Sequence, residues 1–253
     1  MAMFIMFALG YYYGRPYKHS ASNSLDVIGD TSDLMPITPT VPQITNYVPV
    51  DTSSTVGLNI YYPNFSHIEL VCGDMPSKDN DSIIFMASAA YTKKELPTFS
   101  HSNIVGPHVS DSVLYIPEGM PKGAFSYYDN APHFTYGDYI SDMKRAARKG
   151  GCAFSQDMMI CNGDLTKYDR NPKDEDKFRA LCLIEDKIAI VDSKNEELFE
   201  LFVRRLHHLN VQNAIYMDMG GWRYSWYRDS NNKVIELGTN PNKFATNWLV
   251  FYK

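Results

Sequence analysis

The feature that most constrains this chain is a long series of short segments rich in β-branched and aromatic residues, each bounded by turn-forming residues. Segments of this length and composition are typical of strands joined by tight turns. The stretch LCLIEDKIAIVD predicts a hairpin with Glu185 and Asp186 at its tip. The predicted strands are Ile68–Cys72, Ile83–Ala90, Val113–Ile116, Ala124–Tyr128, Phe154–Cys161, Ala180–Ile184, Ile188–Asp192, Ala214–Met217, Tyr224–Arg228, Val234–Leu237 and Trp248–Tyr252.

Two stretches carry a helical period instead, Gly137–Lys149 and Asn195–Leu209. In each, apolar side chains recur on one face, and basic side chains gather at the C-terminal end, where they complement the helix dipole. The second helix leads into a strand, so Asn195–Met217 has the form of a βαβ step. Many strands with two isolated helices predict an α+β domain, in which a mixed β-sheet core carries two main helices.

The N-terminal region differs from the rest of the chain. Residues 1–13, MAMFIMFALGYYY, are apolar but too short to span a bilayer, and they lack a basic leader and a cleavage motif. We interpret residues 1–19 as the remnant of a signal or membrane anchor, the alternative being a buried first element. Residues 20–55, rich in Ser, Thr, Pro and Asp, predict an irregular linker or wrap, and residues 56–253 the folded domain. This organisation predicts an exported protein, periplasmic or at the cell surface, with an N-terminal segment able to associate with a membrane.

The charge balance excludes one class of partner. The 253 residues carry a net charge of -5, so the chain lacks the basic field that would hold a nucleic-acid backbone. A small anionic substrate is not excluded, because it needs only one or two local cations.

Cysteine and histidine spacing indicates no metal motif. The four cysteines form no C-x-x-C pair, and buried free thiols are favoured, although one or two disulfides remain open. His101 and His108, in FSHSNIVGPH, offer acid/base groups or metal ligands, or are ordinary loop residues. Their spacing matches no zinc signature, so we predict neither a metal nor a cofactor.

The segment NAIYMDMGGWRYSWYR concentrates polar chemistry at the end of a strand. The strand delivers Asp218, and Gly220 and Gly221 then allow a sharp turn or close contact with a ligand. An aspartate in this position can bind sugar hydroxyls or assist bond cleavage, or it can cap its own turn. Trp222 and Arg223 follow, and the aromatic alternation that begins at Trp222 serves either sugar stacking or the core.

This segment resembles the N-A-x-x-L-D-G-G-G-S signature of the phosphodiester glycosidase family. Three further segments resemble motifs of that family in the same order: AFSQDMMICN with Gln156 at a glutamine position, the Phe178–Val191 hairpin with Arg179 at an arginine position, and TNWLVF with Asn247 at an asparagine position. Ile83–Tyr91 and the loop that carries His101 and Asn103 correspond to its early N-G-G-F-F strand and loop.

The resemblance implies a fold and an activity. The fold would be that of a phosphodiester glycosidase, and the reaction the hydrolysis of a sugar-1-phosphodiester or related glycosyl bond in a glycan or envelope polymer. Asp218 would act as nucleophile, as general base or as stabiliser of an oxocarbenium-like transition state, and Arg179 or Arg223 would grip the phosphate. The further substrate-binding residues would be Gln156, Gly220, Gly221, Trp222, Asn247, His101 and Asn103.

A second carboxylate could be Asp157, Asp164 or Glu95, and the sequence does not distinguish among these three.

Two departures from the family motifs leave an alternative function open. The run Ser88-Ala89-Ala90-Tyr91 lacks the family's asparagine, and Gly220-Gly221-Trp222 replaces its third glycine and serine. The alternative is therefore a non-catalytic glycan-binding or surface-assembly protein on the same fold.

Overall fold

The computed structural model describes residues 47–93, 99–219, 223–239 and 245–253. These residues belong to one compact unit that begins at Thr45. The predicted anchor remnant at residues 1–19 lies outside the described residues. In the segment that the sequence assigned to a linker, residues 50–55 form an edge strand. Within the described ranges, no helix is long and apolar enough to cross a bilayer.

The largest sheet, the first sheet, has seven strands in the order β1-β2-β14-β13-β16-β10-β11. Every neighbouring pair in it is antiparallel. Its strands are β1 (Val50–Thr55), β2 (Leu58–Pro63), β10 (Met158–Cys161), β11 (Asp164–Leu165), β13 (Arg179–Ile184), β14 (Lys187–Ser193) and β16 (Asn213–Met217).

The second and third sheets have five strands each, in the orders β18-β17-β4-β19-β3 and β6-β5-β9-β7-β8. The strands of the second sheet are β3 (His67–Cys72), β4 (Ile83–Ser88), β17 (Ser225–Arg228), β18 (Val234–Leu237) and β19 (Asn247–Tyr252). Those of the third are β5 (His108–Ser110), β6 (Val113–Tyr115), β7 (Gly123–Tyr128), β8 (Ala131–Tyr136) and β9 (Cys152–Gln156). A short ribbon pairs β12 (Glu175–Asp176) with β15 (Glu197–Leu198).

Two-residue turns explain why neighbouring strands run antiparallel. The β13–β14 turn has Glu185 at φ 49° and Asp186 at φ 61°, the left-handed pair that suits the twist of a hairpin. Asp129 and Asn130 make the same kind of turn between β7 and β8. The hairpin predicted at Glu185 and Asp186 is therefore present in the register Ile184 opposite Lys187.

The helices are few and short. Helix α1 is Ile140–Arg148, helix α2 is Phe199–His208, and a 3-10 turn covers His101–Asn103. Helix α2 begins later than predicted because Glu197–Leu198 pairs as a strand with Glu175–Asp176. It packs on the first sheet through Phe199, Phe202 and Leu206, and α1 packs on the third sheet through Met143 and Ala146.

The predicted fold class, α+β with a mixed sheet, is wrong. The described residues form a β-rich fold with nineteen strands and two α-helices, and all their strand pairs are antiparallel. The predicted βαβ step is present only in part. Strands β14 and β16 are joined through α2 and run parallel to each other, but β13 lies between them and pairs antiparallel with both.

One apolar cluster joins the three sheets. Leu181 and Ile190 contribute from the first sheet, Leu249 from the second, and Phe125 and Phe154 from the third, all fully buried. Because side chains alternate along a strand, the opposite faces of the first and third sheets are free to receive α2 and α1. The polar residues at the strand ends beside this cluster form the candidate site.

Candidate functional site

Asp218 lies immediately after β16, whose five residues are all buried. Its backbone N–H donates to the carbonyl of Ala89 at 2.9 Å, so the strand end is fixed against the segment that follows β4. The Asp218 side chain is half-buried. The sequence therefore placed this carboxylate correctly, at a strand end with access to solvent.

Tyr91 and Arg170 form a pair next to this carboxylate. Arg170 Nη1 donates to Tyr91 Oη at 3.0 Å. Burial, together with the Asp157 and Asp218 carboxylates, raises the pKa of Tyr91 to about 12, although the Arg170 cation opposes this rise. The Tyr91 hydroxyl thus lies within electrostatic reach of both acids and of the guanidinium, and it remains protonated at neutral pH.

Aromatic rings hold the Arg170 guanidinium in place. It lies 4.8 Å from the ring centroid of Tyr216, 5.2 Å from that of Phe178 and 5.3 Å from that of Phe199. A cation over aromatic faces is stabilised by the ring quadrupoles while its N–H groups stay available. The Arg170 side chain is 18% exposed, and its nearest carboxylate is that of Asp174 at 3.6 Å. Arg170 is therefore a fixed cation with access to solvent.

Asp157, one of the three carboxylates that the sequence left open, lies between β9 and β10. It is 5% exposed, and its Oδ1 accepts from the backbone N–H of Asp169 at 3.4 Å. Burial raises the pKa of this carboxyl above its usual range, although the Asp169 N–H lowers it in part. Desolvation favours the neutral acid, so Asp157 is suited to hold a proton.

An open groove adjoins Arg170. Its volume is about 540 Å³, and its lining carries four cationic side chains against the single carboxylate of Glu200. These cations are Lys122, Lys167, Arg170 and Arg204. Lys122 pairs with Asp169, and Arg204 with Glu200 at 3.8 Å. Arg170 also donates to the Tyr91 hydroxyl and so links this groove to the site.

Arg179 lies on β13 opposite Met217 of β16, the residue before Asp218. It is fully buried, and its Nε and Nη2 donate to the two carboxylate oxygens of Asp192, each at 2.6 Å. Its position on β13 shares a face with Leu181, so the side chain points into the interior. The predicted grip of Arg179 on a substrate phosphate has no support in this arrangement.

Arg223 is closer to the surface and already paired. Its Nη2 donates to Asp176 and, at 2.8 Å, to Glu196. The residue has φ 55°, in the left-handed region, and its N–H donates to the carbonyl of Met219 at 2.9 Å. Gly220, Gly221 and Trp222, predicted to contact substrate, lie outside the described residues.

Asn247 and Gln156, whose amides were predicted to bind substrate, form hydrogen bonds to backbone groups at the site. Asn247 Oδ1 accepts from Ala90 N at 2.7 Å, and its Nδ2 donates to Ala90 O at 3.0 Å, which fixes the residue before Tyr91. Gln156 Oε1 accepts from Asp157 N at 3.0 Å. Its buried Nε2 has no hydrogen-bond partner among the described residues. Both amides are thus positioning groups beside Tyr91 and Asp157.

His101 and Asn103 form part of a separate cluster. Asn103 is buried and closes the 3-10 turn, where its Oδ1 accepts from Ser100 N at 3.0 Å. His101 Nδ1 lies 3.0 Å from His108 Nε2, and Cys72 joins them, with the three possible ligand atoms within 4.8 Å of one another. The sequence missed Cys72 because it reaches this loop only through the pairing of sheets.

The structure therefore gathers Asp218, Asp157, Gln156 and Asn247 around Tyr91 and Arg170. Arg179 lies one strand away from Met217, but its guanidinium is paired with Asp192. Sequence reasoning missed Arg170, which lies between β11 and β12 and belongs to no motif. It also missed Tyr91, the aromatic residue of the Ser88–Tyr91 run.

No protein-family model and no curated protein sequence matches this chain. Among solved structures, the chain is similar to the catalytic domain of zebrafish N-acetylglucosamine-1-phosphodiester alpha-N-acetylglucosaminidase, auto-inhibited by its pro-peptide. The two align with a TM-score of 0.54 and 13% identity, covering 82% of each chain. The chain shares the fold of that catalytic domain. A hypothetical protein from Synechocystis aligns at TM-score 0.48 and 10% identity, over 81% of this chain and 61% of its own.

Proposed function

We propose that this protein is a hydrolase of the glycosidase type that cleaves a sugar-1-phosphodiester or related glycosyl bond, with Asp218 at its centre. The observation that carries the proposal is the position of Asp218, half-buried at the end of β16 beside the Tyr91–Arg170 pair. The fold shared with a glycosidase catalytic domain supports the same reaction class.

The residues fit the demands of that reaction. An oxocarbenium-like transition state needs a carboxylate near the anomeric carbon, and a departing phosphate needs a cation rather than a strong acid. Asp218 is the carboxylate, and Arg170 takes the place that the sequence gave to Arg179. A guanidinium can donate to two phosphate oxygens at once. Asp157, biased toward its neutral form, is the second acid that the sequence left open.

Substitution of Asp218 tests the proposal. We expect Asp218→Asn to lower kcat for release of sugar from a sugar-1-phosphodiester by about 10²- to 10⁴-fold, the usual contribution of one catalytic acid or base. The isosteric amide keeps the shape of the side chain, so the thermal unfolding midpoint should change little. Turnover is measured as free reducing sugar from purified protein.

A matched control is Asp164→Asn, because Asp164 is exposed on β11 and was itself a candidate acid. It should retain full activity. Full activity of Asp218→Asn would contradict the role of Asp218. Glycan binding without turnover of any phosphodiester would instead favour the non-catalytic, glycan-binding alternative.

The proposal includes action outside the cytoplasm. It is supported by the apolar residues 1–13, which precede a linker-like segment, and by the sugar-phosphate substrate class. Fractionation of cells that express the full chain tests this part separately from catalysis. Recovery in the cytoplasmic fraction would contradict it.

A further inference from the structure

Three side chains from separate elements converge away from Asp218. Cys72 ends β3, His101 opens the 3-10 turn, and His108 begins β5. We call these three residues the histidine–cysteine cluster. His101 Nδ1 and His108 Nε2 are 3.0 Å apart, and the thiol sulfur lies within 4.8 Å of both nitrogens. Bonds of about 2.0–2.1 Å to nitrogen and about 2.3 Å to sulfur place the ligand atoms of a tetrahedral zinc site about 3.3–3.7 Å apart. Small side-chain adjustments therefore bring this cluster to coordination distance.

The rings are already oriented as ligands need to be. His108 is fully buried, and its Nδ1 faces the carbonyl of Gly106 at 3.2 Å, which accepts the Nδ1 proton and leaves the Nε2 lone pair aimed into the cluster. Outer hydrogen bonds of this kind fix the tautomer of metal-binding histidines. His101 stacks on Tyr115 with ring centroids 3.4 Å apart and 7° between the planes. Both ring planes are thus fixed by groups outside the cluster.

Metal binding would change the protonation of the histidine–cysteine cluster. Burial lowers the pKa of His108 to about 4, so its imidazole is neutral at physiological pH. Burial raises the pKa of the Cys72 thiol to about 11, with the Ser110 hydroxyl opposing the rise, so without a cation the sulfur keeps its proton. A metal ion would bind the Cys72 sulfur as a thiolate, and the thiol proton would be released to solvent. His101 would carry its ring proton on Nε2, so that its Nδ1 could bind the metal.

We propose that Cys72, His101 and His108 bind one transition-metal ion, with zinc as the preferred metal. Two imidazoles and a thiolate form a nitrogen–sulfur ligand set, which suits Zn²⁺ and does not suit the oxygen-seeking Mg²⁺ or Ca²⁺. His101 and Cys72 are half-buried, so an ion can enter, and a fourth position remains for water. This site is independent of the proposed hydrolase activity.

The metal would fasten a loop to a sheet edge. Cys72 opposes Asn247 across β3 and β19, and Asn247 holds the backbone of Ala90. The loop with His101 is bonded to the same segment, because Val105 N donates to the Tyr91 carbonyl at 2.8 Å. Coordination would therefore join the end of β3 to the loop that lies along Tyr91.

The test uses the full chain without a histidine tag, stripped with a chelator and then titrated with Zn²⁺ by calorimetry. We expect one ion per chain and a higher unfolding midpoint in its presence. Co²⁺ added instead should give the strong visible absorption of tetrahedral coordination and a thiolate charge-transfer band. Cys72→Ser and His101→Ala should each weaken binding by more than roughly 100-fold, because loss of an outer-shell partner alone costs about 10- to 100-fold.

Two variants control for other thiols and imidazoles. Cys161→Ser removes a half-buried free cysteine of the first sheet, and His208→Ala removes an exposed histidine at the end of α2. Both should bind Zn²⁺ like the parent. Circular dichroism and the metal-free unfolding midpoint show that Cys72→Ser and His101→Ala are folded. No stoichiometric binding by the folded parent, or undiminished binding in both folded cluster variants, would overturn the proposal.

Discussion

At the scale of single residues, Arg179 and Arg170 differ in how much of their charge is already neutralised. Arg179 is bidentate on Asp192, a partner whose side chain is 10% exposed. Arg170 donates one hydrogen bond to a neutral phenol, lies 3.6 Å from the exposed Asp174 carboxylate, and keeps part of its guanidinium near an open groove. The buried Arg179–Asp192 ion pair stabilises the fold only while both side chains are present. Arg170, which is held by aromatic rings, can still bind an anion from solution.

Removing one member of the Arg179–Asp192 pair tests the structural role. We expect Arg179→Met to lower the free energy of unfolding by about 3–5 kcal/mol, because it leaves a buried carboxylate without its partner. The measurement is urea denaturation followed by circular dichroism. The double variant Arg179→Met/Asp192→Leu should recover much of that loss.

The exposed pair Arg204–Glu200, at 3.8 Å, is the control for the Arg179 variants. Arg204→Met should cost less than about 1 kcal/mol, since surface ion pairs are weak. If Arg179→Met cost no more than Arg204→Met, the structural role assigned to the buried pair would be wrong.

At the scale of elements, tertiary contacts bury only some of the apolar residues predicted to form the buried side of α2. Phe199, Phe202 and Leu206 are fully buried against the first sheet, whereas Leu198 and Leu201 are each 39% exposed. The apolar stripe predicted for the helix Asn195–Leu209 contained all five of these residues and Leu209. The helix begins only at Phe199 because Leu198 is part of the short ribbon. Leu201 faces solvent because it lies about 200° around the helix axis from Phe199.

Truncation of one aromatic ring measures how strongly α2 is held. Phe202→Ala should lower the free energy of unfolding by about 3–5 kcal/mol, because it removes buried surface and leaves a cavity. Leu201→Ala, on the exposed face, should stay within about 0.5 kcal/mol of the parent. Chemical denaturation of both variants compares the two sides. Equal losses would contradict the assignment of the buried face.

At the scale of the whole molecule, three sheets share one apolar cluster and need no covalent crosslink. The four cysteines are all free, with Cys152 and Cys182 buried and Cys72 and Cys161 half-buried. This agrees with the preference for free thiols drawn from the sequence. Burial raises the pKa of Cys152 to about 12, so its thiol is protonated and unreactive at neutral pH.

Stability should therefore not depend on reductant. We expect the same unfolding midpoint with and without a non-chelating phosphine reductant, and an intact mass that corresponds to four thiols. A disulfide would contribute about 2–4 kcal/mol, which corresponds to a shift of several degrees for a chain of this size. A midpoint that falls on reduction, with a matching gain of two hydrogens, would contradict the free-thiol structure.

The sequence by itself determined the elements whose signals are local. Residue composition and alternation identified most strands, the helical period identified both helices, and the Glu185–Asp186 turn fixed its hairpin. The same local pattern placed Asp218 at the end of a strand. These features depend on residues within a few positions of one another, so one segment of sequence carries them.

Only the tertiary structure decided which elements meet. It made the sheets antiparallel, closed Arg179 onto Asp192, set Arg170 beside Tyr91, and brought Cys72 to two histidines of a distant loop. Each of these contacts joins residues whose local patterns are compatible with several partners. Long-range packing of the sheets around the shared apolar cluster selects among those partners. This selection leaves no periodic pattern in the sequence.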